Sequence, residues 1–302
     1  MVPGLKPAPV HPGRLAFLGT PEMAVPFLRG LHGAEWPIGL VVSRPDTRRR
    51  RNADPEPSPV KAAALDLGLP VSDDPADVAT SGADLAIVVA YGRIIKPDLL
   101  AQVPMVNVHF SRLPRWRGAA PVERAILAGD ETTGVDVMVV EEGLDTGPVY
   151  ARHQTEIGDH ETAGELAQRL VEIGVPLLLD TLKAGLRDPT PQAGEPTYAD
   201  KIDPAELRID WRRSTIEVHR LVRLERAWTT FRGRRLKVLA GHPLPGSLAP
   251  GVMDLDLPVE VGTGQGTFRL DIVQPEGKAA MKAKDWAQGA RIEPGERLGD
   301  EA

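Results

Sequence analysis

The 302-residue chain contains no cysteine. That absence removes disulfides, thiolate metal sites and a cysteine nucleophile, and it fits a reducing compartment. No apolar run approaches the roughly 20 residues that a membrane span needs, and mean hydropathy is −0.19. The stretch from Met1 to Arg14 carries Pro3, Pro7, Pro9 and Pro12 but no apolar core, so it reads as a frayed tail rather than a secretory signal. The seven histidines show neither an H-E-x-x-H motif nor any paired metal spacing. The first apolar run ends in Gly19-Thr20-Pro21, which matches neither a dinucleotide-binding glycine fingerprint nor a P-loop. There is no internal repeat. What is left is a cytoplasmic globular protein of ordinary composition, 42% hydrophobic and 26% charged, long enough for two domains.

A formal net charge of −6 argues against a polycation that coats nucleic acid, but the average hides an asymmetry. Residues 1–200 carry 19 basic and 27 acidic side chains, whereas residues 201–302 carry 17 and 15. Ten basic residues fall between Arg208 and Lys237, opposed only by Asp210, Glu217 and Glu225. A second run, Arg48-Arg49-Arg50-Arg51, sits in a proline-dense loop from Thr47 to Glu56. Either run alone reads as a solvated face. Two of them in an acidic chain favour a polyanionic ligand such as RNA, bound through charge neutralisation and counterion release.

Short apolar runs alternate with helical patterns through the first two thirds. Strands are expected at Arg14–Thr20, Ile38–Ser43, Leu85–Ala90, Val106–Val108 and Val135–Val140. Helices are expected after Pro21, from Ser58-Pro59 with Ser as cap, at Asp98–Gln102, at Ala119–Ala128 and over Thr162–Leu186. This is the pattern of an α/β fold, a Rossmann-like and mostly parallel sheet with helices on both faces. Residues 190–206, rich in Pro, Asp and Thr, read as a linker between a domain over 1–189 and one over 207–302. Beyond it, one helix at Ser214–Leu224 is followed by strand-like segments at Arg234–Ala240, Val259–Val261, Thr267–Val273 and near Arg291–Leu298, which suggests a small β-barrel. Gly262-Thr263-Gly264-Gln265-Gly266, between two of these, reads as a hairpin turn and not a phosphate cradle.

In an open α/β sheet, ligands bind beyond the carboxyl ends of the strands. The fourth strand ends Asn107-Val108-His109-Phe110-Ser111, and period-two geometry puts Asn107, His109 and Ser111 on one face. The fifth ends in Glu141 to Gly147, with Asp145 between Gly143 and Gly147. Separately, these are polar residues closing a strand and a turn aspartate. Jointly, they offer a proton carrier in His109, an oxyanion donor in Asn107 and a carboxylate in Asp145 that can orient the imidazole. That trio suits acyl or formyl transfer without a covalent nucleophile. Ser111 lacks the G-x-S-x-G elbow of a serine hydrolase.

The segment Asn107–Pro121 with Gly143–Gly147 resembles the formyltetrahydrofolate-dependent formyltransferases, and within them the branch that acts on methionyl-tRNA. The likeness runs from about Arg14 to Val273–Lys278 and takes in Gly19–Glu22, Pro57–Lys61, Val89–Gly92, Arg208–Trp211, Ala227–Thr229 and Phe231–Gly233. The resemblance implies a formyl-transfer centre of Asn107, His109 and Asp145. It implies a folate-contacting segment at Ser111, Arg112, Leu113 and Pro114, with pterin contacts from backbone near Ala90–Arg93 and Gly143–Asp145. It further implies 10-formyltetrahydrofolate as co-substrate without a metal, and initiator methionyl-tRNA as partner with no membrane or obligate protein partner. The C-terminal domain would be an OB-like β-barrel that supports tRNA, drawing on Arg232, Arg234 and Arg235, while Arg48, Arg49, Arg50 and Arg51 lie in the loop that reaches the acceptor stem. Arg112 stands where the family usually has Leu, and the loop carries arginines in place of the usual glycines. Two other readings share parts of this pattern: a formyltransferase for a small amine such as an amino-sugar nucleotide, and a non-catalytic RNA-binding protein on the same scaffold.

Overall fold

The computed structural model describes residues 5–48, 54–254, 258–293 and 295–299. In chain order the elements are β1 (Leu15–Gly19), α1 (Val25–Gly33), β2 (Ile38–Val42), α2 (Pro59–Asp66), β3 (Val71–Ser72), β4 (Leu85–Val89), α3 (Pro97–Leu100) and β5 (Met105–His109). They continue with β6 (Arg117–Gly118), α4 (Pro121–Ala128), β7 (Thr132–Val139), β8 (Val149–Glu156), α5 (Ala163–Ala184) and β9 (Tyr198–Ala199). Then follow α6 (Thr215–Val222), β10 (Trp228–Phe231), β11 (Arg234–Leu244), β12 (Met253–Asp254), β13 (Glu260–Gly262), β14 (Thr267–Pro275), β15 (Met281–Lys282) and α7 (Ala283–Ala290).

The chain divides into two compact units, one of Met1–Val122, Thr132–Glu156 and Ala167–Asp200, the other of Glu123–Glu131, Ile157–Leu166 and Lys201–Ala302. The first is built on a seven-stranded sheet ordered β3-β2-β1-β4-β5-β7-β8. Every residue of β1 and β4 is buried, as expected of continuous apolar strands covered on both faces. Fully burying each Leu, Ile, Val or Phe there contributes about 1.5–3 kcal/mol. At α2 the local rules operate as read: the Ser58 hydroxyl accepts the Lys61 N–H and Pro59 occupies the first turn.

Pairings from β3 to β5 are parallel, but β7 and β8 run antiparallel. The expectation that the fifth strand, Val135–Val140, delivers its carboxyl end beside that of β5 is therefore corrected. His109 pairs with Asp136 and Val106 with Val139, so β7 ends at the opposite edge and its following loop must fold back to reach His109. β8 escaped the sequence reading because its middle, Arg152 to Gln154, is exposed and carries no apolar alternation. The tail is also less loose than expected. The Val10 carbonyl accepts the Leu186 N–H at 2.8 Å, and the Asp84 carboxylate accepts the N–H groups of Gly13 and Arg14.

The second unit carries an antiparallel sheet ordered β10-β11-β14-β13-β12, with β15 on β14. Gly262–Gly266 is the hairpin between β13 and β14, closed by the Thr263 N–H on the Gly266 carbonyl. Trp211, Phe268 and Trp286 anchor the unit's core. Ser214 and Glu217 form a reciprocal capping box on α6. Among the described residues of Arg291–Leu298 the expected strand does not form: Arg297 makes an isolated bridge with Val252, the Met253 N–H donates to the Glu296 carbonyl, and the helix α7 precedes them. Its last helical residue is followed by Arg291 in a left-handed conformation, which stops the helix.

One buried polar cluster in this unit has a pH consequence. His219 is 7% exposed, its Nε2 3.4 Å from His160 Nδ1. Burial first, then His160, Arg223 and His242, push the imidazole down to about 4, with Asp159 opposing. His242 in turn faces Asp271 at 3.1 Å. Because the unfolded chain binds this proton near pH 6.5 and the folded chain does not, stability falls as pH drops from about 6.5 toward 4, by about 3 kcal/mol at most. In urea unfolding, His219→Gln should lose less stability between pH 6.5 and 4.5 than the unaltered chain. Parallel losses in the two proteins would contradict this.

Candidate active site

β5 reads Met105-Val106-Asn107-Val108-His109, and the alternation sets Asn107 and His109 on one face. His109 is 5% exposed. Its Nε2 lies 2.8 Å from the Trp116 carbonyl oxygen. A carbonyl only accepts, so the ring hydrogen in that contact resides on Nε2, which leaves Nδ1 as the bare nitrogen of the neutral ring. Nδ1 faces Asp145 Oδ2 at 3.6 Å, just beyond hydrogen-bond reach and an ion pair only when the ring is protonated. Asp145 Oδ1 accepts from Asn107 Nδ2 at 3.4 Å, and Oδ2 accepts the Gly118 N–H at 2.8 Å.

The loop that brings Asp145 here is shaped by special backbone. Asp145 itself has φ +50°, a left-handed conformation that Asp tolerates better than most residues. Gly147 passes so close to the Val139 carbonyl that a Cβ would overlap it. Gly118 has φ +122° and lies against Ala199, again leaving no room for a side chain. The structure thus unites Asn107, His109 and Asp145. Ser111 does not join them, because β5 stops at His109 and the period-two alternation stops with it. The Ser111 hydroxyl is fully buried and donates to the Arg115 carbonyl at 2.6 Å.

The rest of the expected folate segment is held by a pair the sequence reading missed. Asp136, 0% exposed, accepts from Arg152 Nε at 2.8 Å and Nη2 at 2.6 Å, and from the Leu113 N–H at 3.0 Å. Arg152 Nη2 also donates to the Leu113 carbonyl at 2.7 Å, so both backbone groups of Leu113 are gripped. Burial pushes the Asp136 carboxyl up, against the pull of Arg152, while Asp136 pushes the guanidinium up. The signal was present in the sequence: Asp136 is a lone charge inside the apolar run Val135–Val140. Leu113–Pro114 is a cis peptide. Arg112 is partly buried, its Nε has no partner, and its stem covers Gly134, which has no Cβ to obstruct it. Near Ala90–Arg93, Ala90 and Gly92 both take positive φ, and Thr20 donates to the Tyr91 carbonyl at 3.1 Å.

Residues 190–206, expected as a linker, make defined contacts at their start. Thr190 exchanges backbone hydrogen bonds with Val149, and β9 pairs with β6. Gln192, also missed, reaches the Asp145 and Gly147 carbonyls. Among the basic candidates, Arg48 and Arg234 are exposed, and Arg49, Arg50 and Arg51 lie outside the described residues. Arg232 is engaged by Glu296 at 2.7 Å. Arg235 stacks 4.5 Å above Trp228, with Arg208 5.8 Å from the same ring. Among the described residues no cluster of three or more His, Asp or Glu could hold a metal ion, and no helix is long and apolar enough to cross a membrane.

Removing Arg152 tests how the Leu113 segment is held. Arg152→Met strands the buried Asp136 carboxylate, and urea unfolding at neutral pH should show a loss of about 3 kcal/mol. A loss under about 1 kcal/mol would class the pair with surface ion pairs.

Comparison with known proteins supplies the context. The profile for Formyl transferase matches residues 13–182, and that for Formyl transferase, C-terminal domain, matches residues 201–291. The chain is 43% identical over 299 residues to a methionyl-tRNA formyltransferase of Jannaschia sp. (strain CCS1), covering 93% of this chain and 98% of that one. It is 42% identical over 310 residues to a methionyl-tRNA formyltransferase of Thermobifida fusca, covering 95% of this chain and 100% of the other. In fold it is similar to WlaRD, a sugar 3N-formyl transferase solved in the presence of dTDP and 5-N-formyl-THF, with a TM-score of 0.66 at 16% identity, covering 88% of this chain and 98% of that one. With both profiles matched along nearly its whole length, the chain belongs to the formyl transferase family.

Proposed function

We propose that the chain transfers the formyl group of 10-formyltetrahydrofolate to the amino group of initiator methionyl-tRNA, giving N-formylmethionyl-tRNA for translation initiation in the cytoplasm. The observation that carries the reading is the meeting of Asn107, His109 and Asp145 in a chain whose relatives of about the same length are methionyl-tRNA formyltransferases. The basic residues between Arg208 and Lys237 favour tRNA over a small amine as acceptor. On the same grounds residues 207–302 are taken as the tRNA-supporting domain, with Arg232, Arg234, Arg235 and the Arg48–Arg51 run facing the RNA.

In the reaction the acceptor amine forms a bond to the formyl carbon, the carbonyl electron pair moves to oxygen, and the bond from carbon to the folate nitrogen then breaks. Asn107 Nδ2 has two hydrogens; one is directed to Asp145 Oδ1, and the other is free to meet the developing oxyanion. His109, protonated at Nδ1, is the second donor. As the bond from carbon to the folate nitrogen breaks, Nδ1 gives its proton to that nitrogen, and the proton lost by the amine then restores it, with the Asp145 carboxylate compensating the imidazolium charge. Leu113, fixed by Asp136 and Arg152, supplies a rigid wall for the folate. Ser111, Arg112 and Pro114 complete that segment, and the backbone near Ala90–Arg93 and Gly143–Asp145 contacts the pterin.

Loss of one oxyanion donor should lower the rate by about 10²–10³-fold, so Asn107→Ala should show that fall in kcat while folate binding persists. A near-normal kcat would remove Asn107 from the site. With initiator methionyl-tRNA, elongator methionyl-tRNA and an amino-sugar nucleotide offered side by side, formyl transfer should favour the initiator. Preference for the sugar amine would overturn the acceptor. Replacing Arg48–Arg51 with alanine should weaken tRNA binding and reduce its salt slope by about 0.7–0.9 for each phosphate no longer neutralised. An unchanged slope would remove the run from the RNA surface.

A further inference from the structure

We propose that Gln192 is a positioning residue for Asp145, an inference that rests on the assignment of Asp145 to formyl transfer made above. Asp145 belongs to a loop whose tip is open to solvent, with Leu144 60% exposed beside it. Its left-handed backbone, though better tolerated by Asp than by most L residues, carries a steric cost, and support from outside the loop helps to hold it. Gln192 is that support. Its Nε2 donates one hydrogen to the Asp145 carbonyl and the other to the Gly147 carbonyl, each at 2.8 Å. The two residues flanking Thr146 are thus tied to a single amide.

The amide cannot turn over. Gln192 Oε1 accepts from Arg117 Nε at 3.1 Å and from Arg117 Nη2 at 2.7 Å. A guanidinium has no acceptor and a carbonyl has no donor, so a flipped amide would face four mismatched contacts. All four hydrogen-bonding positions of the side chain are filled.

These contacts close a ring around Asp145. Gly118, the residue after Arg117, donates its N–H to Asp145 Oδ2. The dipeptide Arg117–Gly118 therefore holds the carboxylate directly and the backbone carbonyl through Gln192. Gln192 is itself set by the strap that carries it. Thr190 exchanges two 2.8 Å backbone bonds with Val149 on one side, and Arg117 N–H donates to the Thr197 carbonyl at 2.9 Å on the other. Trp116 N–H donates to Thr197 Oγ1 at 2.9 Å, and the carbonyl of the same Trp116 receives His109 Nε2. One strap thus registers both partners of the His109–Asp145 contact. Gln192 touches no reacting atom and acts only through Asp145.

The test is steady-state formyl transfer with the full-length protein, in single variants and in the Asp145→Asn background. Gln192→Leu keeps the size of the side chain and removes its bonds. A displacement of about 1 Å at a catalytic group costs up to about 10²-fold, so kcat should fall about ten- to a hundredfold with KM for both substrates little changed. In the Asp145→Asn background the same substitution should add less than about twofold, because the group it positions is already gone. A purely structural strap would cost the same in both backgrounds. Arg117→Met, which leaves Gln192 in place but frees its amide to turn, should reproduce the kcat loss and decides the matter if Gln192→Leu fails to fold. Wild-type kcat in Gln192→Leu, or in Arg117→Met where that variant decides, or equal losses in the two backgrounds, overturns this inference and leaves Asp145 in place. Wild-type kcat in Asp145→Asn overturns the assignment of Asp145 and this inference with it.

Discussion

The Asp145 carboxylate, 15% exposed, is shared among three groups from a stretch of chain remote from it in sequence: the Gly118 N–H, the Asn107 amide and the His109 imidazole. Carboxylates withdrawn from water are costly unless hydrogen bonds and opposite charge replace the lost hydration. Here two donors are supplied in the resting site, from Asn107 and Gly118. In the proposed reaction the compensating charge is the proton on His109 Nδ1, so the carboxylate that ties the loop to the sheet would also serve the chemistry. Moving Asp145 would loosen its hold on Gly118 and Asn107 and leave the imidazolium without its counter-charge.

Sheet direction makes this contact possible. β5 leaves His109 at its carboxyl end, while the antiparallel β7 pairs Asp136 directly opposite His109 and ends at the other edge. The Asp145 loop must then return over the sheet, which explains its glycines and its left-handed aspartate. The same pairing puts the Asp136–Arg152 pair next to His109, and that pair grips Leu113 by both backbone groups. Site and scaffold are thus continuous, with two carboxylates on neighbouring positions in different roles. Asp136 is fully buried and paired with a guanidinium, whereas Asp145 is partly exposed and faces the His109 imidazole.

Much of this was legible from residue patterns. The parallel core strands are uninterrupted apolar runs, the α2 cap is Ser-Pro, and Asn107 and His109 share a face by simple alternation. What was hidden depends on long-range pairing. The antiparallel sense of β7 leaves no trace in its own sequence, because a strand buried on both faces is apolar in either direction. β8 is a half-exposed edge and lacks periodicity. Gln192 sits in a segment whose Pro-rich composition suggests a tether, yet its contacts arise from residues near 117 and 145. Ser111 misled in the opposite way, since the alternation that placed it beside His109 ends where the strand ends.

The claim that orders the rest is that Trp116 and Asp145 fix the role of each His109 nitrogen, Nε2 as the anchored donor and Nδ1 as the proton carrier. Nitrogen-15 NMR of the histidine-labelled protein, which distinguishes a protonated from a bare ring nitrogen, measures this directly. The account predicts that in the neutral ring of His109 the hydrogen sits on Nε2 and Nδ1 is bare. A neutral ring with its hydrogen on Nδ1 would contradict it.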